Sequence, residues 1–557
     1  MSQPSPPRDE PTSVWLSRPG AVGVLVALAV PLFFVKLGGA GLVDPDEPYY
    51  AVPALEMLKT HIWAVPIFRG QPWFDKPVLF YWMILAAFKA FGVSEWAARV
   101  GSALAGLLGA VAVATMAPSA WRRNGAHVLA AVVLATSLEY AFLSRSAVTD
   151  MTLTMFLTLG FLAVARHLES GGWASAASAG AAFGLATLTK GPVGVLVPAL
   201  ALAGYGLATR RRELLEVRSI AVSAAAFATT ALPWYAYMVV AHRDLVLKVF
   251  LGEENLGRFV SPEHRQIPFF YVAVLAAGLL PWSAALPAGL LRAVRAFRRG
   301  DERPGTSPGA VFALAWFAAV VGLFSLSASK LLTYILPAFP AAAFLIADYW
   351  CDALAPRPAG SRTPAGPRAV AWTGAAIATA AAGAVFVLSR EGRFTDAGPA
   401  LYGLAALLCV AGLAAPAAVR GGRLAVFAAV QACSTVAIVL VFFIFAWPGL
   451  ESSESAKTLV RRLEAGGLAV EVAGTYRVPD VGLDFYLGRS LPRETDARAL
   501  AERVLRDPGR LWVVRADEAD SMAERFSLSV ERVMTVSRRT VVRLSPPAPG
   551  SGRKDGT

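Results

Sequence analysis

Long runs of apolar residues recur along the chain from Ala21 to Trp447, separated by short polar connections. Runs of this kind approach the roughly 20 residues that an α-helix needs to cross a bilayer. The Pro- and Ser-rich segment 1–20 precedes the first run without a cleavage-site pattern, which predicts a retained cytoplasmic tail. The pattern predicts about thirteen membrane helices, at roughly 21–39, 95–118, 126–143, 149–166, 173–188, 193–208, 218–238, 269–290, 309–327, 331–349, 370–388, 399–418 and 424–447.

The composition excludes a purely soluble protein. The 557 residues are 56% hydrophobic and 16% charged, whereas soluble domains are about 25% charged. The net charge of +13 in a soluble chain would suggest a nucleic-acid partner. Here many of the arginines fall in short connections between apolar runs, so membrane topology explains the charge and no nucleic-acid partner is predicted. Cys351, Cys409 and Cys433 lie in or beside apolar runs and provide no disulfide framework.

The arginine-rich connections predict the orientation, because short cytoplasmic loops are enriched in Arg and Lys. With a cytoplasmic N-terminus, one parity places every such connection inside: 122–123, 210–212, 292–299, 357–368 and 420–423. The same parity places two long loops, 40–94 and 239–268, on the outer face. The chain after residue 448 falls outside as well.

The C-terminal segment has a different, soluble pattern. Residues 449–547 alternate strand-like runs, such as LAVEVAGTY and TVVRLS, with the helical stretch DARALAERVLRD. The final residues, 548–557, are predicted to be disordered. The fold class is therefore predicted to be a polytopic α-helical membrane domain, 21–448, followed by a small periplasmic α/β domain.

The first outer loop carries acids near its start and an aromatic run near its end. Asp46 before Pro48 fits a helix N-cap; alternatively, Asp46 and Glu47 could bind a metal, act as a general base or position a sugar. The run PVLFYWMILAAFKAFG is too short to span a membrane and predicts a helix in the interface. Just before it, Lys76 is either an interfacial anchor or a phosphate ligand.

Other outer connections place charged residues between apolar helices. Arg145 and Asp150 form either a local ion pair or part of a site. Lys190 and Lys330 have no acid nearby in sequence, which indicates an anionic ligand or a distant acidic partner. His264 is either an exposed loop residue or a metal ligand or proton carrier.

Together, the charged side chains of five loops at one face predict an active site. The lysines and arginines would bind a lipid-linked phosphate or pyrophosphate. The carboxylates would orient or activate an acceptor, a division that suits transfer from a phosphate leaving group. An apolar groove beside the interfacial helices would hold the lipid tail.

Five motifs in the region from Asp46 to Ala341 resemble those of a known family: DEPYYAVPALEMLKTHIWAVPIFRGQPWFDKPVLFYW, SRSAVTDMTLTMF, LTKGPVG, EENLGRFVSPEHRQIPFFY and SLSASKLLTYILPAFPA. The family is that of the bacterial aminoarabinose transferases and their relatives, the GT-C glycosyltransferases that include protein O-mannosyltransferases. The resemblance implies the GT-C fold. It also implies inverting transfer of a sugar from a polyprenyl-phosphate donor to a lipid, glycan or protein acceptor at the periplasmic face of the inner membrane.

The resemblance also implies roles for individual residues. Asp46 and Asp150 match acids associated with catalysis, and we group the adjacent Glu47 with them as catalytic. Tyr50 matches a tyrosine after the first acid, and Lys76 matches a lysine expected to meet the donor phosphate. Other residues are predicted to bind substrate around the donor pocket: Arg145, Lys190, Arg265, Lys330 and Tyr334.

Two positions associated with a divalent metal in the family are Asp75 and His264. The family commonly has glutamate where this chain has Asp75, and arginine where this chain has Tyr49.

Two other classes of protein fit parts of the pattern. A transporter or flippase for an anionic lipid-linked sugar would have polar residues near the middle of the membrane or on both sides, whereas here they gather at one face. A structural scaffold leaves Lys190 and Lys330 unexplained. The sequence therefore favours a membrane glycosyltransferase.

Overall fold

The computed structural model describes residues 18–257, 266–299, 308–355, 364–390, 397–478, 481–519, 528–536 and 538–546, together with Val260 and Met522. The predicted disordered tail, 548–557, and nearly all of the predicted cytoplasmic tail lie outside these residues. Among the described residues, eight helices are long and apolar enough to cross a bilayer, and four further apolar helices are shorter. This is the architecture of a multi-pass membrane protein, as predicted.

The first half of the chain contains these elements: α1 (Arg18–Phe34), α2 (Pro48–Thr60), β1 (Ile67–Phe68), β2 (Gln71–Pro72), α3 (Leu79–Phe91), α4 (Glu95–Met116), α5 (Ser119–Arg122), α6 (Ala126–Ala135), α7 (Leu138–Leu143), α8 (Thr149–Ser170), α9 (Trp173–Lys190), α10 (Val193–Thr209) and α11 (Val217–Asp244). A π-helical segment, Leu245–Gly257, follows α11. The membrane part continues with α12 (Phe270–Gly278), α13 (Leu286–Arg299), α14 (Pro308–Leu326), the 3₁₀ segment Leu332–Ala338, α15 (Phe339–Ala353), α16 (Ala365–Leu388), α17 (Gly398–Arg420) and α18 (Leu424–Val441).

Two of the predicted spans are interrupted helices. The span 126–143 is divided at Thr136 and Ser137, whose hydroxyls donate to carbonyls four residues earlier at 2.6 and 2.7 Å. Such bonds often bend helices because they compete with the backbone pattern. The span 269–290 is divided around Pro281, which has no N–H to donate and therefore breaks the helical ladder.

The start of the first outer helix differs from the prediction. Helix α2 begins at Pro48, and the residue at its N-cap position is Glu47, whose side chain makes no capping bond. The predicted N-cap role of Asp46 is therefore wrong. The short aromatic helix is confirmed as α3. It ends before Gly92, whose φ of 81° lies in the region that favours glycine.

An ion pair between Arg99 and Glu47 is buried beside α2. The Nε and Nη2 atoms of Arg99 donate to the two carboxylate oxygens at 2.8 and 2.6 Å. The same guanidinium donates at 2.6–3.0 Å to three backbone carbonyls of the preceding loop, those of Leu37, Ala40 and Gly41. The pair therefore fixes the path of the chain between α1 and α2.

The Glu47 carboxylate also binds two backbone N–H groups. It accepts from Val43 at 2.8 Å and from Ala147, in the turn before α8, at 2.7 Å. One carboxylate thus connects the first outer loop with α4 and with the turn that begins α8. Because the donors of Arg99 and Ala147 are buried, their bonds are protected from competition with water.

The C-terminal region forms the predicted small α/β domain. Helix α18 continues through the π-helical segment Phe442–Ala446 into α19 (Trp447–Glu454). The elements after it are α20 (Ala456–Ala465), β3 (Val472–Tyr476), α21 (Gly482–Tyr486), β4 (Arg493–Glu494), α22 (Ala497–Arg506), β5 (Arg510–Arg515), α23 (Ala516–Ala519), β6 (Ser529–Val536) and β7 (Arg539–Ser545). The strand order is β4-β3-β5-β7-β6. Strand β3 runs parallel to β4 and β5, whereas β7 runs antiparallel to β5 and β6.

Helix α21 docks this domain onto the first outer loop. The Tyr486 hydroxyl accepts the Leu42 N–H at 2.7 Å, and the Gly482 N–H donates to Asp44 at 2.7 Å. A Cβ atom on Gly482 would lie 2.4 Å from a carboxylate oxygen of Asp44, so a larger residue would have to displace the side chain that accepts this bond. The domain and the loop therefore form one continuous surface.

We expect Glu47→Ala to lower the free energy of unfolding by about 3–5 kcal/mol, because it leaves the buried charge of Arg99 unpaired. The adjacent control, Asp46→Ala, changes an exposed side chain and should cost less than about 0.5 kcal/mol. Denaturant unfolding of the purified protein in detergent measures both. Equal losses in the two variants would contradict the structural role of Glu47.

Candidate active site

Asp150 and Lys190 form a buried ion pair at one end of the helical bundle. Lys190 is the last residue of α9, and its Nζ lies 2.5 Å from Oδ1 of Asp150, in the first turn of α8. The two side chains are 9% and 7% exposed. Lys190 thus has the distant acidic partner that its sequence context left open.

Tyr334 and the Asp75–Lys76 pair complete the surroundings of this lysine. Tyr334 belongs to the 3₁₀ segment, and the centroid of its ring lies 4.7 Å from the Lys190 Nζ. This is a cation–π distance. Asp75 and Lys76 are electrostatic neighbours of Lys190. Three predicted outer connections therefore converge on one cluster.

Tyr50 lies against the same cluster from α2. Its ring packs edge-on against Phe80 at a centroid distance of 5.3 Å. Burial and the neighbouring carboxylates of Asp75, Asp150 and Asp46 raise the pKa of the Tyr50 phenol well above its usual value. The hydroxyl therefore stays protonated at neutral pH and can donate a hydrogen bond.

Asp75 and Lys76 are paired with each other. The Lys76 Nζ donates to Oδ1 of Asp75 at 2.7 Å. No group of three or more His, Cys, Asp or Glu side chains that could hold a metal occurs in the part of the chain that the structure describes. His264 and Arg265 lie outside that part, so the predicted metal site and the predicted contact of Arg265 stay predictions.

The structure places Arg145 away from the cluster. Its guanidinium donates to the carbonyls of Leu32 and Val35 at 2.8 and 2.6 Å and lies 3.9 Å from the Phe443 ring centroid. The alternative of a local ion pair with Asp150 is wrong, because Arg145 instead binds the end of α1 and its following residue.

Lys330 also uses a backbone partner. Its Nζ donates to the Ser327 carbonyl at 2.6 Å, near the end of α14. Lys330 therefore has a backbone hydrogen-bond partner rather than an acidic one. The sequence could not have predicted this contact.

The three clustered acids of the first outer loop have three different environments. Asp44 accepts a backbone N–H from the C-terminal domain, and Glu47 binds Arg99. Asp46 is exposed and is an electrostatic neighbour of Tyr50. Of the three, Asp46 is the acid that faces the cluster from solvent, whereas Glu47 is placed to hold the loop.

Two buried polar residues beside the cluster were missed from the sequence. Neither carboxylate oxygen of Glu139, on α7, nor the hydroxyl of Tyr271, on α12, has a hydrogen-bond partner among the described residues. Tyr271 is an electrostatic neighbour of Tyr334, Asp150 and Glu139. Glu139 stands alone in an apolar run, and an isolated acid of that kind is the signal that could have identified it.

Comparison with known proteins supports a common fold. A family model described as dolichyl-phosphate-mannose-protein mannosyltransferase matches residues 75–237. The crystal structure of ArnT from Cupriavidus metallidurans bound to undecaprenyl phosphate covers 94% of this chain and 98% of its own, with 25% identity and a TM-score of 0.77. The apo structure of the same ArnT gives 22% identity and a TM-score of 0.74. The fold is therefore the GT-C type with a small C-terminal domain.

Curated relatives match over a shorter region. The undecaprenyl phosphate-alpha-4-amino-4-deoxy-L-arabinose arabinosyl transferase of Yersinia pestis (strain Pestoides F) is 30% identical over 344 residues, 60% of each chain. An uncharacterized protein of Aquifex aeolicus is 29% identical over 330 residues, 58% of this chain and 63% of that one. The chain thus matches less than two thirds of these relatives' length. The predicted resemblance to aminoarabinose transferases and GT-C relatives is confirmed.

We expect the buried Asp150–Lys190 pair to show a coupling energy of about 1–3 kcal/mol in a double-mutant cycle with Asp150→Asn and Lys190→Met, because each single variant leaves one buried partner unpaired. The exposed pair Asp244–Lys248 is the control and should give less than about 0.5 kcal/mol. Unfolding free energies in detergent give both values. Additive losses at Asp150 and Lys190 would contradict the pairing.

Proposed function

We propose that the protein is an inverting glycosyltransferase that moves a sugar from a polyprenyl-phosphate donor to a lipid, glycan or protein acceptor. The observation that carries the proposal is the cluster of two lysines and three carboxylates around Tyr50 and Tyr334, at the end of an apolar bundle. The similarity to an ArnT structure bound to undecaprenyl phosphate, over nearly the whole chain, supports it.

The donor phosphate would occupy the cationic side of the cluster. Lys190 and Lys76 each donate to a carboxylate, and the same ammonium groups can donate charge-assisted hydrogen bonds to a phosphate. As the bond between the anomeric carbon and the phosphate oxygen breaks, negative charge grows on that oxygen. Preorganised ammonium groups stabilise that charge in the transition state. Asp150 and Tyr334 keep Lys190 in position.

The acceptor would enter from the side of Asp46. For a hydroxyl acceptor, its oxygen attacks the anomeric carbon from the face opposite the phosphate, Asp46 takes the hydroxyl proton, and the configuration inverts. For a phosphate acceptor, which is already nucleophilic, Asp46 positions the substrate. Glu47 holds the loop that carries Asp46, and Tyr50 donates a hydrogen bond into the site.

Further polar groups would contact the donor sugar. The unpartnered oxygens of Glu139 and the Tyr271 hydroxyl are buried beside Asp150, where they can accept hydrogen bonds from sugar hydroxyls or an amino group. Lys330, Arg145 and Arg265 stay predictions as substrate contacts. A divalent metal at Asp75 and His264 also stays a prediction, and we assign no step to it.

The cellular arrangement that we propose follows from the arginine distribution. The N-terminus would be cytoplasmic, the helices would lie in the inner membrane, and the C-terminal domain, 449–547, would be periplasmic. In this arrangement the cluster lies at the periplasmic face. Transport of an anionic lipid-linked sugar is not favoured, because the cluster includes residues of the first outer loop and the relative from Yersinia pestis is named a transferase.

The test is a mass-spectrometric transfer assay with a panel of polyprenyl-phosphate sugars and candidate acceptors. We expect a product from the wild type, and a loss of turnover of about 10²–10⁴-fold in Asp46→Asn with donor binding retained, if the acceptor is a hydroxyl. Lys76→Ala should lose both turnover and donor affinity. The exposed residues Asp244 and Lys248 supply the matched controls Asp244→Asn and Lys248→Ala.

Full activity of Asp46→Asn on a hydroxyl acceptor would remove Asp46 from the chemistry. Absence of both donor binding and transfer in the wild type across the panel would contradict the proposed function and favour the transporter reading.

A further inference from the structure

The short helix α21 anchors the C-terminal domain in the membrane domain. Val481, just before this helix, and Phe485, within it, are buried in the apolar core of the membrane domain. The centroid of the Phe485 ring lies 6.2 Å from that of Phe88 on α3. Because close-packed interiors resist displacement, the position of α21 relative to the outer loop is fixed.

Asp484, in the middle of α21, binds the first outer loop through Arg69. One carboxylate oxygen accepts from Nε and Nη2 of Arg69 at 2.8 and 2.6 Å, and the other accepts the Leu491 N–H at 3.0 Å. The Asp484 side chain is 1% exposed, and Arg493 is a second cationic neighbour. Since a buried carboxylate depends on its partners, this contact holds the Arg69 side chain against the C-terminal domain.

Arg69 belongs to the turn between β1 and β2. The φ angles of Arg69 and Gly70 are 54° and 74°, so a residue other than glycine occupies the left-handed region here. The Glu56 carboxylate, on α2, accepts the backbone N–H groups of both residues at 2.8 and 3.0 Å. The Ser490 hydroxyl donates to the same carboxylate at 2.8 Å. The C-terminal domain thus holds the turn directly through the Arg69 side chain and indirectly through Glu56.

The β1–β2 hairpin leads directly to Lys76. The N–H of Trp73, just after β2, donates to the Pro66 carbonyl just before β1, at 2.8 Å. Phe74, the next residue, is buried, and Asp75 and Lys76 follow it. A displacement of the turn would therefore be carried through the hairpin to Lys76.

We propose that Asp484 is a positioning residue of the active site, which sets the place of Lys76 through Arg69 and the hairpin. The inference rests on the proposed function, in which Lys76 binds the donor phosphate. An ammonium group that stabilises a developing charge must be held close to its productive position by supporting contacts. The stem of lysine is flexible, so the backbone that carries it has to be fixed. The role assigned to the C-terminal domain is to supply that support.

Equilibrium binding of undecaprenyl phosphate to the full-length protein in nanodiscs tests this inference. Lys76→Ala should weaken binding by about tenfold or more, because it removes a charge-assisted hydrogen bond. Asp484→Asn should weaken binding by about threefold or more in the wild-type background. It should have no further effect in the Lys76→Ala background, because Asp484 acts through that lysine. A role in overall stability alone would not give this dependence on Lys76.

A second variant separates the contact from the burial of an unpaired charge. The double substitution of Arg69→Met with Asp484→Asn removes both partners, and it should weaken binding as much as Asp484→Asn alone. The exposed acid Asp517 of the same domain supplies the matched control Asp517→Asn, which should leave binding unchanged. Thermal unfolding of each variant confirms that it is folded.

Unchanged affinity in the folded double variant would overturn the inference and leave the proposed function standing. So would an equal weakening by Asp484→Asn in the wild-type and Lys76→Ala backgrounds, because Asp484 would then act independently of Lys76. Absence of undecaprenyl phosphate binding in the wild type would instead count against the proposed function itself.

Discussion

The buried contact between Arg99 and Glu47 is the constraint on which the rest of the site depends. One guanidinium binds both oxygens of the carboxylate and three carbonyls of the loop before α2, while the carboxylate receives two backbone N–H groups. A buried pair of this kind is stable only when its remaining hydrogen-bonding groups are satisfied. Here the satisfying groups are the backbone of the loop, so the charge pair and the loop conformation require each other.

Because of this contact, three nearly adjacent acids have three different environments. Glu47 points inward to Arg99, and Asp44 points toward the C-terminal domain, where it accepts the Gly482 N–H. Asp46, between them, remains at the surface beside Tyr50. A cluster of acids in a sequence suggests one shared site, but the backbone turn separates them, and only the fold tells which one is available for chemistry.

The sequence predicts those features that depend on local pattern. Apolar periodicity predicts the helices, the short aromatic helix α3 and the alternating elements of the C-terminal domain, because each reflects neighbours a few residues apart. It cannot predict that Lys190 pairs with Asp150, forty residues earlier, or that Arg145 turns to carbonyls after α1. It also misses Arg99, whose partner Glu47 lies 52 residues earlier, and it shows Glu139 only as an isolated acid in an apolar run, without its place beside Asp150.

The lysines of the cluster show how buried ammonium groups are stabilised at the edge of a membrane domain. A buried ammonium without a partner would be strongly unfavourable, so Lys190 and Lys76 each bind a carboxylate. That pairing also limits how strongly the site attracts an anion, because the carboxylates oppose it. A donor that is anchored in the bilayer by its tail would compensate for the opposition, because the membrane raises its effective concentration beside the cluster. For the proposed donor, the pairing would therefore favour a lipid-linked phosphate over a free one, and the selectivity would arise from the bilayer and the membrane domain together with the cations.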